Sequence, residues 1–269
     1  MRRKREYNQV QIKTSPDRGS PPYRVGRDRH TLERQLYPRM NSPTPEIAVQ
    51  CPLFDNPDQY LRLRKGSFFV RFLKRKAEER ALDSCLRGLD TVRSVCDAPS
   101  GPARLFSYWG AKGYRVIGVD LSEPMVEAAA KEHRRLGLQG VVHRGDVFLL
   151  SGILEDEPDL VASIRFAYYF DRERRIALMR SLAAASRRYV LVQYKTSDTL
   201  KGRIIERRSR TRGRRPAKHY CSFGEMAQEV REAGLVCLRI APISQFSDRA
   251  FVLAEKPQGQ GSERDVKGT

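Results

Sequence analysis

The chain has 269 residues, of which 40% are hydrophobic, so it is long enough to bury one sizeable core. No apolar run reaches 18 residues and no apolar segment follows the basic residues 1–5, so neither a transmembrane helix nor a secretory signal is expected. The five cysteines are odd in number and show no C-x-x-C spacing, which argues against a disulfide framework or a metal site. We therefore expect a cytoplasmic protein, with peripheral attachment to a membrane left open.

The net charge of +19 is concentrated in two parts of the chain. Residues 1–80 carry 19 Lys or Arg against 9 Asp or Glu, and residues 195–218 carry 10 against 2. Between them, residues 81–194 are almost balanced, with 16 against 14. Such localised charge predicts a polyanionic partner, which is nucleic acid, an anionic membrane surface or an acidic glycolipid. The alternative is ordinary solvated surface charge.

The two ends of the chain differ in composition from its middle. Residues 1–59 are polar, basic and interrupted by prolines, which removes any helical or strand period, so we expect a flexible arm. From residue 60 to residue 90 the apolar side chains follow a helical period with basic residues around them. Residues 257–269 have the Gly, Ser and charged composition of a disordered tail.

Residues 92–120 read as strand, tight turn, helix and strand, about the length of one βαβ unit. Asp97 ends the first apolar run, Gly101 lies in the turn, and Asp120 ends the second run. Parallel strands bind ligands beyond their carboxyl ends, so these residues fall at a binding edge. Pro99 stands where a dinucleotide-binding turn has its first glycine, and the third glycine is missing. A nucleoside without phosphates therefore fits better, and a dinucleotide-dependent oxidoreductase is a weaker alternative.

Further helices and strands alternate to the end of the chain, bounded mostly by Gly, Ser or Asp. The pattern predicts helices at residues 122–135, after Asp171 and at 225–233, and strands at 141–143, 159–164, 189–194, 235–240 and 250–255.

Two segments carry a family resemblance, DAPSGPAR at residues 97–104 and GVDLSEPM at residues 118–125. Together with Gly145-Asp146 and residues 159–170, they resemble the class I S-adenosylmethionine-dependent methyltransferases, over roughly residues 70–256. The resemblance implies an α/β fold with a Rossmann-like, doubly wound, mostly parallel seven-stranded sheet and an antiparallel last strand. It implies a methyltransferase domain over residues 60–256, in which residues 60–90 form a helical lid, and S-adenosylmethionine as the cofactor.

The resemblance also assigns cofactor-binding residues. Asp120 takes the ribose hydroxyls, Asp97 lies near the amino group of the methionine moiety, and Asp146 meets the adenine amino group. The other residues on the cofactor side are Pro99, Gly101, Ala103, Met125, Val147 and Arg165. Helix capping is the alternative for Asp97, a surface turn for Asp146, and core packing for Met125.

Residues 165–169 follow the fourth strand, where the family places groups that face the methyl group and its acceptor. Relatives of the ubiquinone-biosynthesis type read R-x-x-H-H there, whereas Tyr168 and Tyr169 stand in this chain. Either tyrosine is a candidate to orient an acceptor, with a core aromatic as the equal alternative. His219 is the one histidine that we consider as a general base.

Residues 195–220 form a basic insert after the fifth strand, on the edge where substrate enters. We expect a loop whose Arg207, Arg208, Arg210 and Arg212 bind phosphate or another anion; the alternative is a solvated loop. The sequence thus favours methyl transfer to a small-molecule or lipid-linked acceptor, which an anionic group would suit. The alternatives are an RNA methyltransferase that uses the arm and insert, and a non-catalytic binding module of the same fold.

Overall fold

A computed structural model describes residues 68–211 and 218–257, together with the isolated position 57. The predictions for the arm at 1–59 and the tail at 257–269 lie almost wholly outside these residues, as do Arg212 and the side chain of Arg210. Within the described ranges, no helix is long and apolar enough to cross a bilayer.

The described chain folds around one mixed sheet of eight strands, in the order β3-β2-β1-β4-β5-β8-β7 with β6 paired to β5. The strands are β1 Ser94–Asp97, β2 Arg115–Asp120, β3 Val142–Arg144, β4 Leu160–Ser163, β5 Tyr189–Thr196, β6 Tyr220–Cys221, β7 Val236–Pro242 and β8 Arg249–Glu255. Strand β8 runs antiparallel to both of its neighbours, and the other pairs are parallel. The strand order reverses between β1 and β4, which is where ligands bind in such sheets.

The described residues form six helices, five of which cover the two faces of the sheet. They are α1 Phe68–Leu86, α2 Phe106–Ala111, α3 Glu123–Arg135, α4 Arg172–Ala185, α5 Leu200–Thr211 and α6 Phe223–Glu232. One apolar core joins the sheet to α4 and α6, and a second joins the opposite face to α1, α2 and α3. Burial on both faces explains why the central strands are continuous apolar runs. The Rossmann-like fold with an antiparallel last strand is confirmed, and the two-residue β6 is an addition to the seven predicted strands.

The basic insert differs most from the prediction of a loop. Strand β5 continues two residues beyond Tyr194, and residues 200–211 then form helix α5. Tertiary contacts, which no local pattern reports, decide this difference. In helix α3, His133 is buried, with Nε2 3.0 Å from the Val116 carbonyl oxygen.

Helix α1 is attached to the sheet by one buried carboxylate. Glu78 Oε2 receives Arg104 Nη1 at 2.7 Å and Arg165 Nη2 at 3.3 Å, and Oε1 receives Gln193 Nε2 at 3.1 Å. The Arg249 guanidinium lies 3.8 Å away. Burial by itself raises the pKa of Glu78, but the three guanidinium groups outweigh it and hold the pKa far below its ordinary value. The helix is therefore fixed by side chains from four separate parts of the chain, three of them charged.

Replacing Glu78 by Gln leaves three guanidinium groups without the carboxylate that compensates their burial. We expect the free energy of unfolding, measured with urea at pH 7, to fall by about 3 kcal/mol. Glu79→Gln is the matched control, because Glu79 is the next residue of α1 and pairs with the exposed Arg75 and Lys76. Its loss is expected to stay below about 1 kcal/mol. Equal losses in the two variants would contradict the anchoring role of Glu78.

Candidate functional site

A cavity of about 690 Å³ opens at the carboxyl ends of the strands, at the point where the strand order reverses. Four segments line it: the turn after β1, the end of β2 with the start of α3, the segment after β3, and the segment after β4. Eight of the nine predicted cofactor-binding residues are among the lining residues: Asp97, Pro99, Gly101, Asp120, Met125, Asp146, Val147 and Arg165.

Asp120 is held at the end of β2 by backbone donors. Its Oδ2 accepts a hydrogen bond from the Gly101 amide at 2.8 Å, and its Oδ1 accepts one from the Ser122 amide at 3.0 Å. A carboxylate oxygen can accept two hydrogen bonds, so one backbone donor does not by itself exhaust it. The side chain is thus fixed in place and suited to accept from a pair of hydroxyl groups.

The turn after β1 has an unusual backbone. Gly101 has φ +53°, and a Cβ built there would meet no atom within 4 Å, so its backbone faces open space in the cavity. Ala103 has φ +59°, although a residue with a Cβ rarely adopts this conformation. Its side chain is buried and does not line the cavity. Ala103 therefore shapes the turn, while Gly101 provides the close approach for a ligand.

Asp97 is buried at the end of β1 with few donors around it. Within the described residues its side chain accepts one hydrogen bond, from Trp109 Nε1 at 3.3 Å. Burial raises the pKa of Asp97 to about 7, and the nearby carboxylates of Asp120 and Glu78 act in the same direction. A buried acid of this kind, at the wall of a cavity, is suited to bind a cationic group.

The segment after β3 provides the far wall. Asp146 Oδ1 accepts from the Phe148 amide at 2.9 Å and caps the 3-10 helix of residues 147–152. A Cβ on Gly145 would come within 2.3 Å of Ile153 Cδ1, so a larger residue at this position would require the Ile153 side chain to move. The predicted turn role and the predicted place at the ligand site are thus compatible for Asp146. Met125 is both buried and part of the cavity wall.

Aromatic and cationic side chains line the side of the cavity that follows β4. The ring of Phe170 makes edge contacts with Phe148 and Phe166, at centroid distances of 5.7 and 4.8 Å. Arg165 has a left-handed backbone, with φ +65°, and its guanidinium points to Glu78. Arg174 also lines this side, and within the described residues no carboxylate lies at ion-pair distance from its guanidinium.

The sequence did not single out the three phenylalanines or Arg174. Phe166 and Phe170 lie beside Tyr168 and Tyr169, the residues predicted to orient an acceptor. A 3-10 helix at Ala167–Tyr169 turns the chain so that residues 166 and 170 face the cavity. A turn of this kind has no clear sequence signal.

The predicted catalytic residues lie next to the cavity, not in its wall. The ring of Tyr168 is buried beneath the ammonium groups of Lys195 and Lys218, at 5.7 and 5.8 Å. Lys218 also lies 5.6 Å from the ring of Tyr169. The His219 amide donates to the Tyr168 carbonyl at 2.9 Å, which ties the end of the insert to this cluster. Their catalytic roles stay predictions, and Tyr168 is in the first place a packed aromatic residue.

Lys195 belongs to a buried polar network at the end of β5. Its ammonium group pairs with the carboxylate of Asp248, which also accepts from the Tyr220 hydroxyl at 2.8 Å. Lys201, in the first turn of α5, lies 3.4 Å from the same carboxylate. Burial lowers the pKa of Lys195 to about 8, although Asp248 acts in the opposite direction. The network fixes the start of the insert to the sheet.

Arg207 and Arg208 lie further along α5, exposed and away from the cavity wall.

Comparison with known proteins identifies the domain that carries the cavity. Residues 95–188 match the family described as "Methyltransferase domain". This segment is a methyltransferase domain. It runs from β1 through α4 and so contains all four segments that line the cavity. The comparison with curated proteins gives no match.

Solved structures share the fold at low sequence identity. The magnesium protoporphyrin IX methyltransferase ChlM from Synechocystis PCC 6803, with bound SAH, aligns with a TM-score of 0.60 and 16% identity over 76% of this chain and 97% of that chain. The mitomycin 7-O-methyltransferase MmcR aligns with a TM-score of 0.58 and 16% identity over 76% of this chain and 60% of that one. The O-methyltransferase NcsB1, in complex with S-adenosylmethionine and a naphthoic acid, aligns with a TM-score of 0.55 and 19% identity over 76% of this chain and 59% of that chain. These alignments extend the methyltransferase fold beyond the matched segment.

No three His, Cys, Asp or Glu side chains come together in a metal-binding arrangement anywhere in the described ranges. The cysteines described there, Cys85, Cys96, Cys221 and Cys237, are free, and burial raises the pKa of each.

The raised pKa of Asp97 predicts how stability depends on pH. Between about pH 4 and pH 7 the folded state holds a proton that the unfolded state has lost, so the free energy of unfolding falls as the pH rises through this window. Asp97→Asn removes the buried charge, so the ligand-free variant should be more stable than the wild type at pH 8, by more than about 1 kcal/mol. The difference should shrink at pH 5.

Urea denaturation at both pH values tests this expectation. Asp90→Asn, at an exposed position before β1, is the control and should show no such change with pH. A wild type that is more stable than Asp97→Asn at pH 8 would contradict the burial of an under-bonded carboxylate.

Proposed function

We propose that the protein transfers the methyl group of S-adenosylmethionine to a small-molecule or lipid-linked acceptor that carries an anionic group. The observation that carries the cofactor assignment is the pair of carboxylates at the reversal of the strand order. Asp120 is held by two backbone amides, and Asp97 is buried beside it with few donors. Asp120 suits the hydroxyl groups of the cofactor's ribose, and Asp97 suits the cationic amino group of its methionine part.

The remaining wall fits the rest of the cofactor. Gly101 leaves room for the nucleoside against the backbone, and Asp146, with Val147, borders the position that the adenine would take. When bound, S-adenosylmethionine supplies an already activated methyl group, so the protein mainly provides position and a water-poor cleft. The buried side chains of Met125 and Val147 keep that part of the cleft apolar.

The acceptor assignment rests on the side of the cavity that follows β4. Three phenylalanine rings offer a surface for an apolar or aromatic body. Arg174 offers a guanidinium that no described carboxylate compensates. Arg104 and Arg165 also line the cavity and form ion pairs with Glu78. A carboxylate or phosphate on the acceptor would be bound there by charge-assisted hydrogen bonds.

Asp120→Asn tests the cofactor site. An amide at this position turns an NH₂ group towards one of the two backbone amides, and a donor then faces a donor. We expect S-adenosylhomocysteine to bind at least about 30-fold more weakly, as measured by calorimetry. Asp159→Asn is the matched control, because Asp159 also accepts from two backbone amides, of Arg93 and Ser94, but at the amino end of the sheet. Unchanged affinity in Asp120→Asn would overturn the assignment.

The acceptor class is tested with methyl-labelled S-adenosylmethionine and a cell extract separated into lipid, small-molecule, RNA and protein fractions. We expect label in the lipid or small-molecule fraction, in an acidic product, and none with Asp120→Asn. Arg174→Gln should raise the KM for the acceptor about tenfold or more and leave S-adenosylhomocysteine affinity unchanged. Label in RNA alone would replace the proposed acceptor by RNA, and no label with intact cofactor binding would favour a binding module.

A further inference from the structure

Helix α5 has an exposed face of unusual composition. Positions 200, 203, 204, 207 and 208 follow the helical spacing of three and four residues, and all five are exposed. Two of them are large aliphatic residues, Leu200 and Ile204, with 50% and 43% of their surface accessible. The other three are arginines. The inner side holds Gly202, which is buried, and the helix's one acidic residue, Glu206, is half-buried.

The helix is firmly attached to the sheet beneath it. A Cβ on Gly202 would lie 1.9 Å from the Thr196 carbonyl oxygen, so this glycine allows the helix to pack directly on the end of β5. The Gly202 amide donates to Thr199 Oγ1 at 3.2 Å, and Lys201 pairs with Asp248. Leu200 and Ile204 are therefore presented to solvent by a fixed element.

A third exposed apolar residue stands beside the first turn of α5. Phe246 lies in the connection between β7 and β8, with 80% of its surface accessible. The Lys201 amide donates to the Gln245 carbonyl at 3.1 Å, which joins this connection to the helix. Aliphatic and aromatic side chains are thus presented together, with arginines around them.

We propose that the exposed face of α5, together with Phe246, docks on an anionic lipid bilayer. Burial of Leu200, Ile204 and Phe246 at the headgroup boundary removes apolar surface from water, while the arginines contact acidic headgroups. The same arginines would suit RNA phosphates, and Phe246 would offer one stacking surface, but Leu200 and Ile204, two of the three apolar residues of this surface, have none to offer a base. The composition therefore favours a bilayer over a nucleic acid.

The position of this surface indicates how docking would serve catalysis, and this inference rests on the proposed function. Helix α5 follows the carboxyl end of β5, and the cavity opens at the carboxyl ends of the neighbouring strands. Docking through α5 brings this edge of the sheet to the membrane. We therefore infer that the acceptor is a lipid-linked molecule with an anionic headgroup, taken from the bilayer surface.

Flotation of the full-length protein with vesicles tests the docking surface. Vesicles of equal parts phosphatidylcholine and phosphatidylglycerol are expected to bind the protein, and pure phosphatidylcholine vesicles much less. Phe246→Ser and the double variant Leu200→Ser with Ile204→Ser should each weaken binding at least about tenfold, and Arg207→Gln about fivefold. Val236→Ser is the matched control, since Val236 is 49% exposed but lies at the amino end of the sheet, and it should change nothing.

The outcomes separate this surface from other sources of binding. Equal binding by the wild type, Phe246→Ser and the double variant would overturn the proposal and assign binding to another basic part of the chain. Loss of RNA binding in Arg207→Gln, with unchanged vesicle binding, would overturn it in favour of RNA. S-adenosylhomocysteine affinity is measured on the same samples. Lost vesicle binding in Phe246→Ser or in the double variant, with intact S-adenosylhomocysteine affinity, supports the docking surface. Lost S-adenosylhomocysteine affinity in Asp120→Asn, with intact vesicle binding, concerns the cofactor site alone.

Discussion

The buried carboxylate of Glu78 holds together parts of the chain that are far apart in sequence. Its partners come from the turn after β1, the segment after β4, strand β5 and strand β8. Two of them, Arg104 and Arg165, also line the cavity. Because three guanidinium groups need one acid to compensate their burial, the position of α1 and the shape of the cavity wall at Arg104 and Arg165 depend on each other. Packing by itself would not create that dependence.

The two carboxylates of the cavity show how the same chemical group acquires different properties. Asp120 receives two backbone amides, which hold it ready to accept further hydrogen bonds. Asp97 lies at the end of the adjacent strand, yet it receives only an indole N–H within the described residues, and its pKa is raised to about 7. The difference comes from the backbone: the Gly101 amide in the turn after β1 and the Ser122 amide after β2 both donate to Asp120, whereas no described backbone amide donates to the Asp97 carboxylate. A cationic ligand would complete the environment of Asp97.

The methyltransferase fold is shared with solved structures at 16 to 19% identity. Within this fold, the basic insert after β5 is fixed at its start by Lys195 and Asp248 and at its end by the short strand β6. Arg203, Arg207 and Arg208 of the insert lie on an exposed helix face. The cationic residues of the cavity come instead from the turn after β1, the end of β3, the segment after β4 and the first turn of α4. Two separate cationic regions thus share one edge of the sheet.

Outside the insert, the sequence by itself determined the order of the strands and helices, and it placed Asp97, Gly101, Asp120 and Asp146 at one edge. This was possible because apolar runs, turn residues and strand-end acids are local signals, and parallel pairing brings strand ends together. Tertiary structure alone decided that Phe166 and Phe170 face the cavity while Tyr168 is buried, because a 3-10 turn sets those directions. It also decided that the insert is a helix packed through Gly202, and that Glu78 meets three arginines. Those contacts join residues up to 171 positions apart along the chain, and local sequence patterns carry no signal for contacts over such separations.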